Sequence, residues 1–174
     1  MKSFRKYLTK YQTNVKIVSI DTKTRRKICK RKGFRMSIHT SKYTNHTKEE
    51  IEEYLNRVKK SVNLGNFIIC TTAKNEKNRR FIEEYKLDSN KQKQMLIELQ
   101  VNDFCYSADN YNDPQERLYF FCREYELNNW GTIEKVEVYI KIAIKQDDFI
   151  VVVSFHKPEK KYRKVVFIKV VSLL

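Results

Sequence analysis

Residues 134–156 read EKVEVYIKIAIKQDDFIVVVSFH, and this stretch decides the fold class. Val136, Val138, Ile140, Ile142 and Ile144 recur at every second position, the period of a strand with one buried face. Asp147-Asp148 supplies a two-residue turn, and residues 149–156 form a second run rich in β-branched side chains. In a hairpin closed by those two aspartates, Ile140 faces Phe155, Ile142 faces Val153 and Ile144 faces Val151. That register gathers the apolar pairs on one face, whereas a slip of one residue mixes the faces. The opposite face then pairs Tyr139 with His156 and Lys141 with Ser154, within contact range across the strands.

Upstream, the same period marks strands over about 103–109 and 117–126. Tyr111-Asn112-Asp113-Pro114 reads as a turn and Asn128-Asn129-Trp130-Gly131 as a loop. Earlier still, the period becomes helical. Thr47-Lys48-Glu49-Glu50 is a capping box, with a hydroxyl N-cap and a carboxylate three residues on. Ile51, Tyr54, Leu55, Val58 and Val62 follow at helical spacing, and Gly65 supplies the stop. Two further helices are expected over 76–86 (Phe81, Ile82, Tyr85) and 90–100 (Met95, Leu96, Leu99). Helices followed by an antiparallel meander define an α+β fold, with N-terminal helices packed on a small antiparallel sheet. Val15 to Ile20 is a candidate short strand in an otherwise weakly patterned start. Residues 165–174 are either an edge strand or a tail.

A chain of 174 residues fits one domain with extensions. The 36 lysines and arginines exceed the 21 acids by +15, but unevenly. Residues 1–35 hold thirteen basic side chains and a single acid, Asp21. Residues 157–174 hold six and one, Glu159. The remainder is close to neutral. The expected organisation is therefore a basic extension over 1–45, a folded domain over 46–157 and a basic extension over 158–174. Arms of this kind bind nucleic acid through phosphate contacts and counterion release. No apolar run approaches ~18 residues, so no membrane-spanning helix is expected. Nor does an apolar segment follow the basic N-terminus as in a secretory signal. Cys29, Cys70, Cys105 and Cys122 include no CxxC pair, which fits reduced thiols and a cytoplasmic location. His39 and His46 lie near Cys29, but their spacing matches no zinc pattern. No cofactor and no metal are expected.

RNA cleavage by 2′-hydroxyl attack needs proton transfer and stabilisation of phosphorane charge. Imidazole exchanges protons near neutral pH, a lysine or arginine holds phosphate, and a phenol donates a hydrogen bond or stacks on a base. Tyr139, His156 and Lys141 at the far end of the hairpin are the candidates for those roles.

Five segments in order resemble the MqsR family of motility quorum-sensing regulator toxins: Arg57 to Gly65 (RVKKSVNLG), Leu99 to Ser107 (LQVNDFCYS), Tyr111-Asn112-Asp113, Val138 to Ile142 (VYIKI), and Ile150 to Phe155 after the aspartate pair. The similarity covers about residues 52–157. It implies a RelE-like fold and a metal-free endoribonuclease that cleaves messenger RNA and is neutralised by a partner antitoxin. The ribosome is a further candidate partner, and no membrane is involved. The family tyrosine matches Tyr139. One family lysine falls on His156, with Lys157 next, and another falls on Tyr106. The family glutamine lies somewhere in 119–125, where Arg123 is the only cation and is assigned to phosphate. The catalytic set is thus Tyr139, His156, Arg123 and Lys141, and Tyr106, Lys157 and Arg117 are RNA contacts. The competing reading is a non-catalytic RNA- or DNA-binding regulator that uses the basic arms.

Deleting residues 1–35 should flatten the dependence of log affinity for RNA on log salt, because the slope scales with the phosphates neutralised. An unchanged slope in a filter-binding titration would make the arm a solubility tail.

Overall fold

The computed structural model describes residues 41–111 and 113–167, all within one compact unit. The candidate strand at 15–20, the basic clusters of the N-terminal arm, Cys29 and His39 lie outside the described residues.

Nine elements follow in order: β1 (Lys42–Tyr43), α1 (Lys48–Asn63), β2 (Phe67–Ile69), α2 (Glu76–Glu84), α3 (Ser89–Ile97), β3 (Phe104–Asn110), β4 (Asp113–Asn129), β5 (Thr132–Ile144) and β6 (Ile150–His156). The fold is α+β. One six-stranded sheet runs β1-β3-β4-β5-β6-β2. β3 to β6 form the expected antiparallel meander. The sheet is nevertheless mixed, because β2 adds parallel to β6. Only three residues long, β2 is too short to show a period, which is why the sequence pattern passes over it. At the opposite edge β1 pairs with Ser107 and Ala108 of β3, so the sheet begins upstream of Thr47.

The capping box forms as the residue types require. Thr47 Oγ1 accepts from the Glu50 amide at 3.1 Å, and the Glu50 carboxylate accepts from the Thr47 amide at 3.0 Å. Ile51, Tyr54, Leu55, Val58 and Val62 are buried along one side of α1. The three α-helices of the described residues cover a single face of the sheet. Their apolar side chains meet Phe104, Phe121, Val138, Ile140, Ile142 and Phe155 in the main core. Two tyrosines fasten helix to sheet: Tyr54 donates to the Ile142 carbonyl at 3.2 Å, and Tyr125 donates to the Met95 carbonyl at 2.6 Å. Strands β4 and β5 turn on Trp130 and Gly131, both with positive φ, as a twist-matched two-residue hairpin requires.

The β5–β6 hairpin corrects one expectation. Its loop takes three residues, Gln146–Asp148, with Lys145 N–H donating to the Phe149 carbonyl at 2.8 Å. Near the loop Ile142 therefore faces Val152 and Ile144 faces Ile150, not Val153 and Val151. A bulge at Val153 then restores the expected register: Lys141 faces Ser154, Ile140 faces Phe155 and Tyr139 faces His156. The extra loop residue and the extra strand residue cancel. Val151 and Val153 consequently pack on the face away from the helices.

The bulge would leave backbone groups bare where β2 has ended. Side chains near the start of α2 take them up. Asn78 Nδ2 donates to the carbonyls of Cys70 (2.7 Å) and Val153 (3.1 Å), while its Oδ1 accepts from the Phe155 amide at 2.7 Å. Asn75 Nδ2 also donates to Val153, at 2.8 Å. Asn78 is 1% exposed, so water cannot replace these bonds. No helix of the described residues is long and apolar enough to cross a membrane.

Asn78→Ala should lower the unfolding free energy by about 2–3 kcal/mol, because each buried backbone group left unpaired costs ~1–3 kcal/mol. Thr47→Ala, which removes an exposed cap, should cost only about 1 kcal/mol. Urea denaturation of both variants checks the order.

Candidate nucleic-acid interface

The sheet face opposite the helices carries Tyr106 of β3, Phe120 of β4, Tyr139 and Lys141 of β5, and Ser154 and His156 of β6. β4 pairs Cys122 with Tyr139 and Phe120 with Lys141; β5 pairs Tyr139 with His156. Strand alternation alone sends these side chains to one side. Tyr106 stacks on Phe120 with ring centres 4.2 Å apart and planes 15° apart. The Tyr106 and Tyr139 hydroxyls are 3.4 Å apart. The His156 ring lies 5.6 Å from that of Tyr139.

Residues beyond β6 complete the face. Tyr162 stacks on Tyr139 at 4.6 Å and 18°, and is nearly parallel to Tyr106 at 6.3 Å. Three ammonium groups lie over the rings: Lys42 at 4.6 Å from Tyr106, Lys141 at 5.2 Å from Phe120 and Lys160 at 5.8 Å from Tyr162. Among the described residues none of these three ammonium groups forms an ion pair. Stacked aromatics interleaved with cations suit single-stranded nucleic acid, whose bases stack and whose phosphates need charge.

His156 has its tautomer set by the backbone. Its Nδ1 is 2.7 Å from the Lys157 carbonyl, which can only accept, so Nδ1 carries the proton in that bond. Nε2 of the neutral ring is then the acceptor, and among the described residues nothing is bonded to it. Both tyrosines behave differently. Burial holds the Tyr139 phenol well above the usual range, with the Tyr106 hydroxyl adding to the shift. Burial also raises Tyr106. These phenols stay protonated and act as donors or stacking surfaces, not as bases. Burial lowers the Lys141 ammonium. Beneath the face, the Cys122 thiol is raised far above its usual value by its hydrogen bond with Cys105 and by burial, which makes it a packing group.

Of the seven residues assigned from sequence, four meet here: Tyr139, His156, Lys141 and Tyr106. The other three turn away. Arg123 lies on the helix side, where Nη1 donates to Asp103 at 3.0 Å. Asp103 also accepts from the Gln100 amide and approaches Lys164 at 3.4 Å, so Arg123 braces the turn before β3. Arg117 pairs with Asp109 at 3.2 Å and covers the Tyr43 ring. Lys157, one residue past His156 and so on the other face, pairs with Glu84 of α2 at 2.7 Å and caps the Tyr85 ring. His46 is a packing residue: Nε2 lies 2.8 Å from the Ser107 hydroxyl, and the ring abuts Phe104. Phe120, Lys42 and Tyr162 escape sequence reasoning. For Tyr162 a signal existed, as the lone aromatic in the basic run PEKKYRK.

Set against models of known protein families and against curated proteins, the chain matches none.

Lys141 offers a direct electrostatic test. The fold disfavours its charged form, so below its native pKa it costs stability, and that cost vanishes as pH rises towards the ordinary value of 10.5. Lys141→Met should therefore be more stable than the parent chain at pH 7, and the gap should narrow by pH 10. A gap independent of pH in paired urea titrations would show that the ammonium is not penalised.

Proposed function

We propose that this chain is a RelE-like endoribonuclease toxin that cleaves messenger RNA by 2′-hydroxyl attack, without a metal, on the open face of its sheet. The observation that carries the reading is His156. Its Nδ1 proton is committed to the Lys157 carbonyl, and its Nε2, beside Tyr139, has no hydrogen-bond partner among the described residues. In this scheme Nε2 takes the proton from the 2′-hydroxyl as that oxygen attacks phosphorus; the bond from phosphorus to the 5′-oxygen breaks, and that oxygen takes a proton from solvent to leave as a hydroxyl. The half-buried ammonium of Lys141, on the same face, offsets the charge that develops on the phosphorane. Tyr139 and Tyr106 donate hydrogen bonds and present ring surface. Proton transfer is assigned to the imidazole because its Nδ1 hydrogen bond leaves Nε2 as the acceptor on the open face. The charge assigned from sequence to Arg123 passes to Lys141, since Arg123 is engaged with Asp103 on the other face. Neutralisation by an antitoxin, action in the cytoplasm and contact with the ribosome belong to the same proposal.

A second reading, a non-catalytic RNA-binding regulator, is favoured by one contact. Tyr162 covers Tyr139, which is only 8% exposed. A pure binder has no use for a bare imidazole nitrogen, and it survives loss of His156.

Purified protein should cut RNA in excess EDTA and leave a 2′,3′-cyclic phosphate and a 5′-hydroxyl. A 2′-deoxy residue at the cut site should block the reaction. His156→Ala should slow it by ~10²–10⁴-fold and relieve growth arrest on expression, and Tyr139→Phe should keep the fold but lose rate. Cleavage that persists on the deoxy-substituted strand, or equal activity of a folded His156→Ala protein, would refute the mechanism.

A further inference from the structure

The segment after β6 crosses the open face transverse to the strands, following their order in the sheet. It leaves β6 at His156, passes Tyr139 of β5 and ends against Phe104 of β3. Its fixed points lie at its two ends. Glu159 pairs with Lys77 of α2 at the start. At the finish Lys164 meets Asp103 at 3.4 Å, and the Val165 amide donates to the Phe104 carbonyl at 2.8 Å. Between them, among the described residues, no backbone–backbone hydrogen bond holds 158–164. Lys160, Lys161 and Arg163 are exposed, and Tyr162 alone turns inward.

The middle of the strap therefore rests largely on one ring. That ring lies within 18° of the Tyr139 plane and 27° of the Tyr106 plane. It is a flat, polar-edged aromatic lying face to face on a phenol, with Lys160 over its own ring and Lys42 and Lys141 over the rings of Tyr106 and Phe120 on the same face. A nucleobase has the same thickness, the same face and the same need for flanking cations, because its phosphates bring negative charge. Paired bases cannot enter such a slot, since both their faces are already stacked.

Resting on the ribonuclease reading above, we infer that the slot on Tyr139 is the site for one unpaired base of single-stranded RNA, and that Tyr162 occupies it in the free protein as an intramolecular substitute. RNA must lift the strap to place a base on Tyr139 and a 2′-hydroxyl near His156 Nε2. The strap thereby taxes affinity: only the fraction of molecules with the slot open binds. It also favours flexible single strands, which can supply a splayed base to replace the ring, over duplex.

Two measurements on the full chain test this, with a short 2′-fluoro oligouridylate that cannot undergo 2′-hydroxyl attack. Tyr162→Ala should bind it about tenfold tighter by fluorescence anisotropy, as expected if only roughly a tenth of the parent molecules are open. Tyr162→Phe, which keeps the ring, should bind like the parent. In the parent chain, the oligonucleotide should speed hydrogen exchange of the Val165 amide, which bonds to the Phe104 carbonyl. Equal or weaker binding by Tyr162→Ala, or unchanged or slower exchange of the Val165 amide with RNA present, would overturn the inference and make Tyr162 an RNA contact or a bystander; RNA binding by the parent would then leave the ribonuclease reading standing. Failure of both parent and Tyr162→Ala to bind any single-stranded RNA would overturn the two together.

Discussion

Asn78 holds the candidate site in place from the far side of the sheet. Its side chain reaches from α2 to the carbonyls of Cys70 and Val153 and to the Phe155 amide. Without those bonds the bulge at Val153 would strand buried backbone groups at a sheet edge, where burial excludes water as a substitute. With them the bulge is tolerated, and β6 regains the register that sets His156 opposite Tyr139. The placement of the imidazole thus depends on an amide that never approaches the open face.

The sheet sorts chemistry by side. On the helix side every cation near the candidate residues has a carboxylate: Arg123 with Asp103, Arg117 with Asp109, Lys157 with Glu84. Such pairs brace the fold and contribute little free charge to a ligand. On the open side Lys42, Lys141 and Lys160 lie over aromatic rings. A cation held over a ring keeps its charge available to an incoming phosphate, since the ring offers only a quadrupole. That asymmetry leaves the open side with the cations on which the proposed RNA contact draws.

How far the sequence could be read depended on the range of each interaction. The cap at Thr47, the apolar side of α1 and the alternation in β5 follow from neighbours a few residues apart, and all are found where the pattern puts them. β2 was illegible because three residues carry no period and its pairing partner lies more than eighty positions away. The pairing of Tyr139 with His156 was legible, but the route to it was not: a loop one residue longer and a strand bulge offset each other. Arg123 misled because position within an aromatic strand was taken without its side. Odd positions of β4 face the helices, and Arg123 is odd together with Phe121 and Tyr125.

The sequence by itself determined the α+β class, the helix start at Thr47, the antiparallel order of β3 to β6 and the meeting of Tyr139, Lys141 and His156 on one face. These follow from local periodicity and from alternation along strands, which each segment carries within itself. Only the tertiary structure decided which cations pair with carboxylates, which nitrogen of His156 bonds the backbone and that Tyr162 lies on Tyr139. Those outcomes depend on pairings between segments remote in the chain, such as Arg123 with Asp103 and Tyr162 with Tyr139, and no local pattern encodes which distant partner a side chain will find.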